Sequence, residues 1–382
     1  MIYLDNSATT FPKPKEVYSS LVTNVRRYSA NPGRGGYEMS MDTADKIYSV
    51  RENLTDFFNA PSPDCVSFTL NCTYAVNTVL KGILKRGDHV LCSDIEHNCV
   101  IRPLEKMRLN ADITYDIFKT DIYNENATIS DLVGKIKPET KLIICNNSSN
   151  VFGFVNPIEK IGKLCKENGI IFVVDAAQSA GVLKIDMRQM HINFLCLPSH
   201  KSLYGIMGAG VLISDGLFTL NTIVEGGTGS DSLNYSQPSY LPDMLESGTL
   251  AVPAIESIGD GLNFIRKTGL DTIFNHEMEL IHYLYKELSE IDALKLYADY
   301  DKLSVFSPIL SFNINGMSSE EAAAKLAQKG ICVRAGYHCS ALAHTKMNTL
   351  KDGTVRISPS FFTTKKEINY TISTIKKSLS AF

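Results

Sequence analysis

The chain has 382 residues, 44% of them hydrophobic and 21% charged, a globular composition that excludes disorder and collagen-like repeats. Its 38 basic residues against 41 acidic ones leave a net charge of −3, so no basic balance marks nucleic acid or an anionic membrane as its main partner. The length suggests about two domains.

The first residues, MIYLDNSATT, lack the basic and apolar regions of a secretory signal. The longest apolar runs, such as Ile170–Val174, fall far short of the ~18–20 residues of a membrane span. Nine cysteines at irregular spacing without a CxxC fit a reducing compartment, with most thiols acting as small core hydrophobes. A cytoplasmic protein is the expectation. Residues 1–14, with Pro12 and Pro14, predict an arm near the cleft, and in the family reading below this arm joins the smaller domain.

From residue 60 to 215, short apolar runs alternate with helical segments. Strands are predicted at Val66–Leu70, His89–Ser93, Ile113–Phe118, Lys141–Asn146, Ile170–Val174, Phe194–Leu197 and Gly210–Ser214. Helices are predicted at Thr73–Lys85, Val100–Leu109, Ile129–Ile136 and Ile158–Glu167. Runs such as LIIC and IIFVV are apolar on both faces, as buried parallel strands are. An α/β fold with a mostly parallel seven-stranded sheet follows, in a large domain of residues 15–250. Residues 225–250, rich in Gly, Ser and Pro, read as a long functional loop. From 251 to 382 a smaller α+β domain is expected. Helices follow Ile255, Ile258, Leu262 and Ile265, then Ile281, Leu284 and Leu288, with Gly269 between. Strands are expected near Ser307–Asn313, Ile331–Arg334 and Thr354–Ser358, and helices near Ser319–Lys329 and Lys365–Ser378.

In open α/β sheets, ligands bind outside the carboxyl ends of the strands. Polar clusters stand at five such ends: 71–73, 94–97, 146–150, 175–178 and 198–201. Asp175 is either the cap of the next helix or a carboxylate for a protonated ring nitrogen or a metal. Lys201 is either an exposed loop lysine or a Schiff-base lysine. Together they make the arrangement that holds pyridoxal phosphate. Asn71-Cys72-Thr73 opens a helix, as a plain cap or as a phosphate cradle. His97 fits a structural role or stacking on a flat ring. Cys339, in a loop beside His338 and close to Arg334, is the best nucleophile among the cysteines, with nearby positive charge expected to favour its thiolate. His338, Cys339 and His344 lack a partner Cys pair at zinc spacing, so a metal is not expected. Arg356, on a predicted strand, pairs either with a structural carboxylate or with that of a substrate.

These residues sit in motifs. SNVFG, VDAAQSAG, SHKSLYG, EGGTGS, ESGT and VRAGYHC follow one another, with YLDNSATT before them. In that set and order the chain resembles the class V aminotransferase family of fold type I pyridoxal phosphate enzymes, in its cysteine desulfurase and selenocysteine lyase branch. The resemblance implies pyridoxal 5'-phosphate as cofactor and a homodimer. It implies that Lys201 forms the Schiff base and moves the proton, that Asp175 pairs with the ring nitrogen, that His97 stacks on the ring and that Gln178 bonds the ring hydroxyl. Cys72, Thr73 and His200 form the phosphate cup, and Thr249, with Gly229 and Ser230, reaches the neighbour's phosphate. Asn150 and Arg356 take the substrate carboxylate, and Cys339 takes sulfur as a persulfide. The implied activity converts L-cysteine to L-alanine, with a sulfur-acceptor protein as further partner. The alternative is a selenocysteine lyase or another C–S β-lyase without persulfide transfer.

The chain also departs from the family pattern at Pro198-Ser199, Ile206, Tyr37 and Tyr337, which bears on substrate and acceptor. A nucleotide-dependent oxidoreductase is disfavoured because no GxGxxG opens a first strand–helix turn. A non-catalytic regulator is disfavoured by the intact Lys201, Asp175 and Arg356.

Overall fold

A computed structural model describes residues 1–27, 30–32, 35–303 and 305–379. Thirteen strands in chain order are β1 (Ile2–Tyr3), β2 (Val66–Thr69), β3 (His89–Ser93), β4 (Thr114–Phe118), β5 (Thr140–Asn146), β6 (Ile171–Asp175), β7 (Phe194–Pro198), β8 (Gly210–Ser214), β9 (Leu294–Leu296), β10 (Leu310–Ile314), β11 (Ile331–Cys332), β12 (Arg334–Gly336) and β13 (Thr354–Ile357).

Strands β2 to β8 form one seven-stranded sheet in the order β2-β8-β7-β6-β5-β3-β4. All pairs are parallel except those of β8, which runs against both β7 and β2. The reason is local. Strands β3 to β6 follow one another through crossover segments that carry the helices Asn98–Leu109, Glu125–Val133 and Ile158–Asn168, whereas β7 reaches β8 through a connection with no helix to carry a crossover. The central strands are apolar on both faces because both are covered. Ile143, Cys145, Phe172, Val174 and Leu195 pack in one core with Leu54 and Phe58 of the helix Glu38–Phe58 and Ile258 of Val252–Thr268. Leu142, Ile144, Ile171, Val173 and Cys196 pack on the other side with Val76 and Val100 of the helices Cys72–Ile83 and Asn98–Leu109. Adjacent residues feed opposite cores, which is the period of two that a pleated strand imposes.

A second, antiparallel sheet of order β12-β13-β10-β9 packs with the helices Leu270–Ser289, Ser319–Gln328 and Lys365–Leu379 around Leu310, Phe312, Val355 and Ile357. A capping box between Ser318 and Glu321 starts the middle helix. The expected strand at 331–334 is two strands, because the chain leaves β11, which pairs in parallel with β1, and enters the other sheet at β12. Strand β9 and the helices Lys15–Arg27 and Glu38–Phe58 add to the expected elements. No helix among the described residues is long and apolar enough to cross a membrane.

Register positions the chemistry. Asn146, the last residue of β5, is level with Asp175, the last of β6, and Asp175 is level with Cys196 of β7, two residues before its end. The carboxyl ends therefore open on one mouth.

Candidate active site

That mouth is a cavity of about 540 Å³ including its opening. Cys72, Thr73, His97, Asn150, Asp175, Gln178, His200 and Lys201 line it, with Asn71, Cys99, Asn146, Ser148, Ala177 and Pro198. Eight of the eleven residues singled out in the sequence thus meet in one place. Thr249 lines a different cleft, and Cys339 and Arg356 are not among the lining residues, Arg356 bonding the carbonyl of the lining Asn150 and Cys339 bonding Asn98, the neighbour of the lining His97.

Asp175 is 3% exposed. Its Oδ1 accepts Ala177 N–H at 2.9 Å within a turn, and no helix follows β6 for it to cap among the described residues. The Cys72 thiol donates to Oδ1 at 3.5 Å and the Cys99 thiol to Oδ2 at 3.4 Å. Cys99 is a contact that sequence reasoning missed. Its only signal was a thiol two residues after His97. The Lys201 amine is pushed down by burial, with the Asp175 charge pulling it up. The Thr10 hydroxyl donates to the Lys201 carbonyl. His97 caps its helix, its Nδ1 accepting Cys99 N–H at 3.0 Å, so the neutral ring carries its proton on Nε2. Burial lowers this imidazole and Asp175 raises it.

At the other end of the cavity the helix Cys72–Ile83 begins. Its first amides have no intrahelical acceptor and face an anion well. Asn71 Oδ1 accepts Tyr74 N–H at 2.9 Å, and Gly210 passes beneath, where a Cβ would lie 2.4 Å from the Asn71 carbonyl carbon. His200 is pushed down to about 4 by burial, then by Lys201 and Lys13, and its buried Nδ1 has no partner. Lys13, pushed down to about 7 by burial, donates to the His200 carbonyl at 2.6 Å. The 1–14 segment closes over this end, with Gln178 Nε2 donating to the Ser7 carbonyl at 3.0 Å. Ser199 is fully buried and its hydroxyl turns back to the Ile206 carbonyl, so it offers nothing to the cavity.

Arg356 is 1% exposed. Nη2 pairs with Asp5 at 2.6 Å, Nη1 donates to the Asn150 carbonyl at 2.7 Å, and Nε is buried without a partner. Both readings of this residue therefore have support: a structural pair exists, and donor capacity remains. Asp5 stands in the YLDNSATT motif, and no sequence signal tied it to Arg356, 351 residues away.

The Cys339 loop is fastened beside His97. Asn98 N–H donates to the Cys339 carbonyl at 2.8 Å, the Ser340 hydroxyl to the Glu96 carbonyl at 2.7 Å, and Asn150 Nδ2 to the His338 carbonyl at 2.6 Å. His338 and Cys339 both have left-handed φ, 50° and 56°, a conformation side chains adopt rarely and at some cost. The turn buries His338 and exposes Cys339. Burial and the Arg356 charge push His338 far down, so it is neutral and is not the cation expected beside the thiol. Tyr337 is half exposed and sets its ring edge on His344.

The aminotransferase class-V family model matches residues 2–371. A probable cysteine desulfurase of Methanothermobacter thermautotrophicus is 31% identical over 388 residues, covering 98% of this chain and 94% of that one. A solved apo structure of a cysteine desulfurase from Thermococcus onnurineus is similar with a TM-score of 0.93 at 28% identity, covering 100% of this chain and 95% of that one. The cysteine desulfurase CsdA of Escherichia coli shares the fold, with a TM-score of 0.89 at 21% identity over 100% of this chain and 95% of that one.

Proposed function

The chain belongs to the aminotransferase class-V family, and from that premise we propose that it is a pyridoxal phosphate-dependent cysteine desulfurase. The observation that carries this reading is the hydrogen bond from Asn98 N to the Cys339 carbonyl, which sets an exposed thiol beside the cavity that holds Lys201, Asp175 and His97.

The residues fit the cofactor. The helix start at Cys72 and Thr73 and the orphaned Nδ1 of His200 would make a cradle for a phosphate, with the half-buried Lys13 amine on the His200 carbonyl. Asp175 would hold a protonated ring nitrogen, His97 would lie on the ring, and Gln178 would bond its hydroxyl. Pyridoxal phosphate, when bound, supplies the aldehyde and the electron sink. Lys201 Nζ, its hold on a proton weakened by burial, would anchor the aldehyde and move the substrate α-proton. Asn150, through the second hydrogen of the Nδ2 that bonds the His338 carbonyl, and Arg356, through its free Nε, would hold the substrate amino acid by its carboxylate.

In the net reaction the Cys339 thiolate takes the sulfur of L-cysteine. The substrate C–S bond breaks, a S–S bond forms, and L-alanine leaves with a persulfide on Cys339. A sulfur-acceptor protein would then come to this thiol, since the loop is fastened at three points. Thr249 is exposed and lines a cleft other than this chain's own cavity, and Leu233 and Tyr235, in the same 225–250 stretch, are almost fully exposed at 97% and 108%. Both features suit a homodimer in which Thr249 reaches the phosphate of the second copy. Nine free cysteines suit a reducing cytoplasm.

The test is product analysis with L-cysteine, D-cysteine, cysteine sulfinate and selenocysteine, with and without reductant. The reading expects L-alanine and a persulfide that mass spectrometry finds on Cys339 alone. Pyruvate and ammonia in place of alanine would make the protein a β-eliminating C–S lyase.

A further inference from the structure

Three donors converge on one buried carboxylate, and two of them are thiols. Cys72 and Cys99 come from the first turns of two different helices and approach opposite oxygens of Asp175, at 3.5 and 3.4 Å. They are only 8% and 6% exposed. Neither resembles Cys339, whose thiol faces solvent. Resting on the reading of Asp175 as partner of the ring nitrogen, we propose that Cys72 and Cys99 are positioning residues that hold Asp175 as the anion and so keep the proton on the ring.

A hydrogen bond to a carboxylate favours its charged form. Asp175 has little water to solvate it, so its charge depends on the donors the protein supplies. The Ala177 amide is one, fixed by the backbone. The thiols are the others. Burial, then the charge of Asp175, pushes both thiols well above their ordinary range. They therefore remain S–H donors across the working pH range and are poor nucleophiles. Without them the carboxylate keeps one donor of three, and its charged form is less favoured. With the cofactor bound, a proton shared with the ring nitrogen would then lie nearer Asp175, and the ring would lose part of the charge that makes it an electron sink. No electrons are transferred, and only the position of one proton changes. Cys99 has a second hold on the site, since its amide fixes the His97 ring at 3.0 Å, but substituting its side chain leaves that contact in place.

The experiment loads the full-length protein with ¹⁵N-labelled pyridoxal phosphate and reads the ring nitrogen by NMR. Wild type should show a protonated nitrogen. Cys72→Ala and Cys99→Ala should each move the signal toward the unprotonated position, furthest in the double variant, with kcat falling about five-fold per thiol at unchanged KM, the scale of one modest hydrogen bond. Cys72→Ser and Cys99→Ser restore a donor and should return the signal to wild type. If the double variant does not fold, the single variants carry the comparison, because each removes one sulfur atom. An unmoved signal in the alanine variants, or serine variants displaced as far as alanine, would overturn the proposal. A wild type that takes up no pyridoxal phosphate would instead overturn the reading of the site beneath it.

Discussion

The cavity floor and the Cys339 loop are one hydrogen bond apart and are built on opposite terms. On the floor, Asp175 ends a central strand, is 3% exposed and has its oxygens filled by one amide and two thiols. In the loop, the 338 and 339 carbonyls and the Ser340 hydroxyl are fastened while the thiol is left in solvent. A charge that must stay put is best held dry, where fixed dipoles act strongly. A group that hands its cargo to another molecule must be reachable. Two adjacent left-handed residues reconcile the demands, turning His338 inward and Cys339 outward within one step of the chain.

Substitutions on the two sides should separate these roles. The largest effect belongs to Lys201→Ala, which removes the amine and should cost ~10⁴-fold or more in turnover, together with the visible absorbance of bound cofactor. An unchanged spectrum would remove Lys201 from its role. Cys339→Ser should abolish alanine formation from L-cysteine while leaving that absorbance as in wild type, since nothing on the floor changes. It should retain much of any activity on selenocysteine, because selenium leaves more readily. Sulfide release from L-cysteine at the wild-type rate would erase the distinction between the regions. Asp175→Asn keeps the shape of the floor and loses its charge, and about 10²–10³-fold in kcat is expected from stopped-flow measurement.

Thr249 extends the comparison across two copies. Thr249→Ala alone should weaken cofactor retention several-fold. Mixed with Lys201→Ala chains, about half of the Lys201-bearing sites should again retain cofactor as in wild type, because a hybrid dimer contains one site with both residues intact. Random exchange would make these intact sites about a quarter of all sites in a two-fold dimer. A mixture whose Lys201-bearing sites all retain cofactor as weakly as Thr249→Ala alone would place Thr249 outside the neighbour's site.

The floor was legible in the sequence and the joints were not. Strands β3 and β8 fall at their expected bounds, and the polar ends of β5, β6 and β7 announce the mouth, because buried parallel strands must be apolar and their exits need not be. The helix Glu38–Phe58 carried a readable stripe in Ile47, Val50, Leu54 and Phe58. Lys15–Arg27 carried one too, in Val17, Leu21 and Val25, although of these three only Val17 is buried. The Asp5–Arg356 pair joins residues hundreds of positions apart, and the inward turn of His338 depends on left-handed backbone that Tyr-His-Cys does not advertise. Cys99 looked like one more core cysteine, and only the fold could put its thiol on Asp175.

The smallest effect is expected at the joint between the regions. Glu96 precedes His97, is fully buried, and its carbonyl takes the Ser340 hydroxyl from the Cys339 loop. Its carboxyl accepts the Ser93 hydroxyl and Asn146 N–H, the latter at 2.8 Å, and leaves Oε2 without a partner. Burial, opposed by these bonds, pushes it up to about 8. A folded-state value above the unfolded one means that the native protein binds the extra proton. The stability this contributes is complete below the unfolded value of 4.5 and is lost as pH rises toward about 8. Glu96→Gln imitates the neutral form and has no proton to lose. Wild type and variant should therefore melt alike near pH 5, and the variant should become the more stable by about 1–3 kcal/mol as pH approaches 8. Thermal melts of both proteins across that range give the measurement. Parallel curves would mean that Glu96 is ionised in the fold, with its charge met by groups other than Ser93 and Asn146, and the link between floor and loop would then be electrostatic as well as hydrogen-bonded.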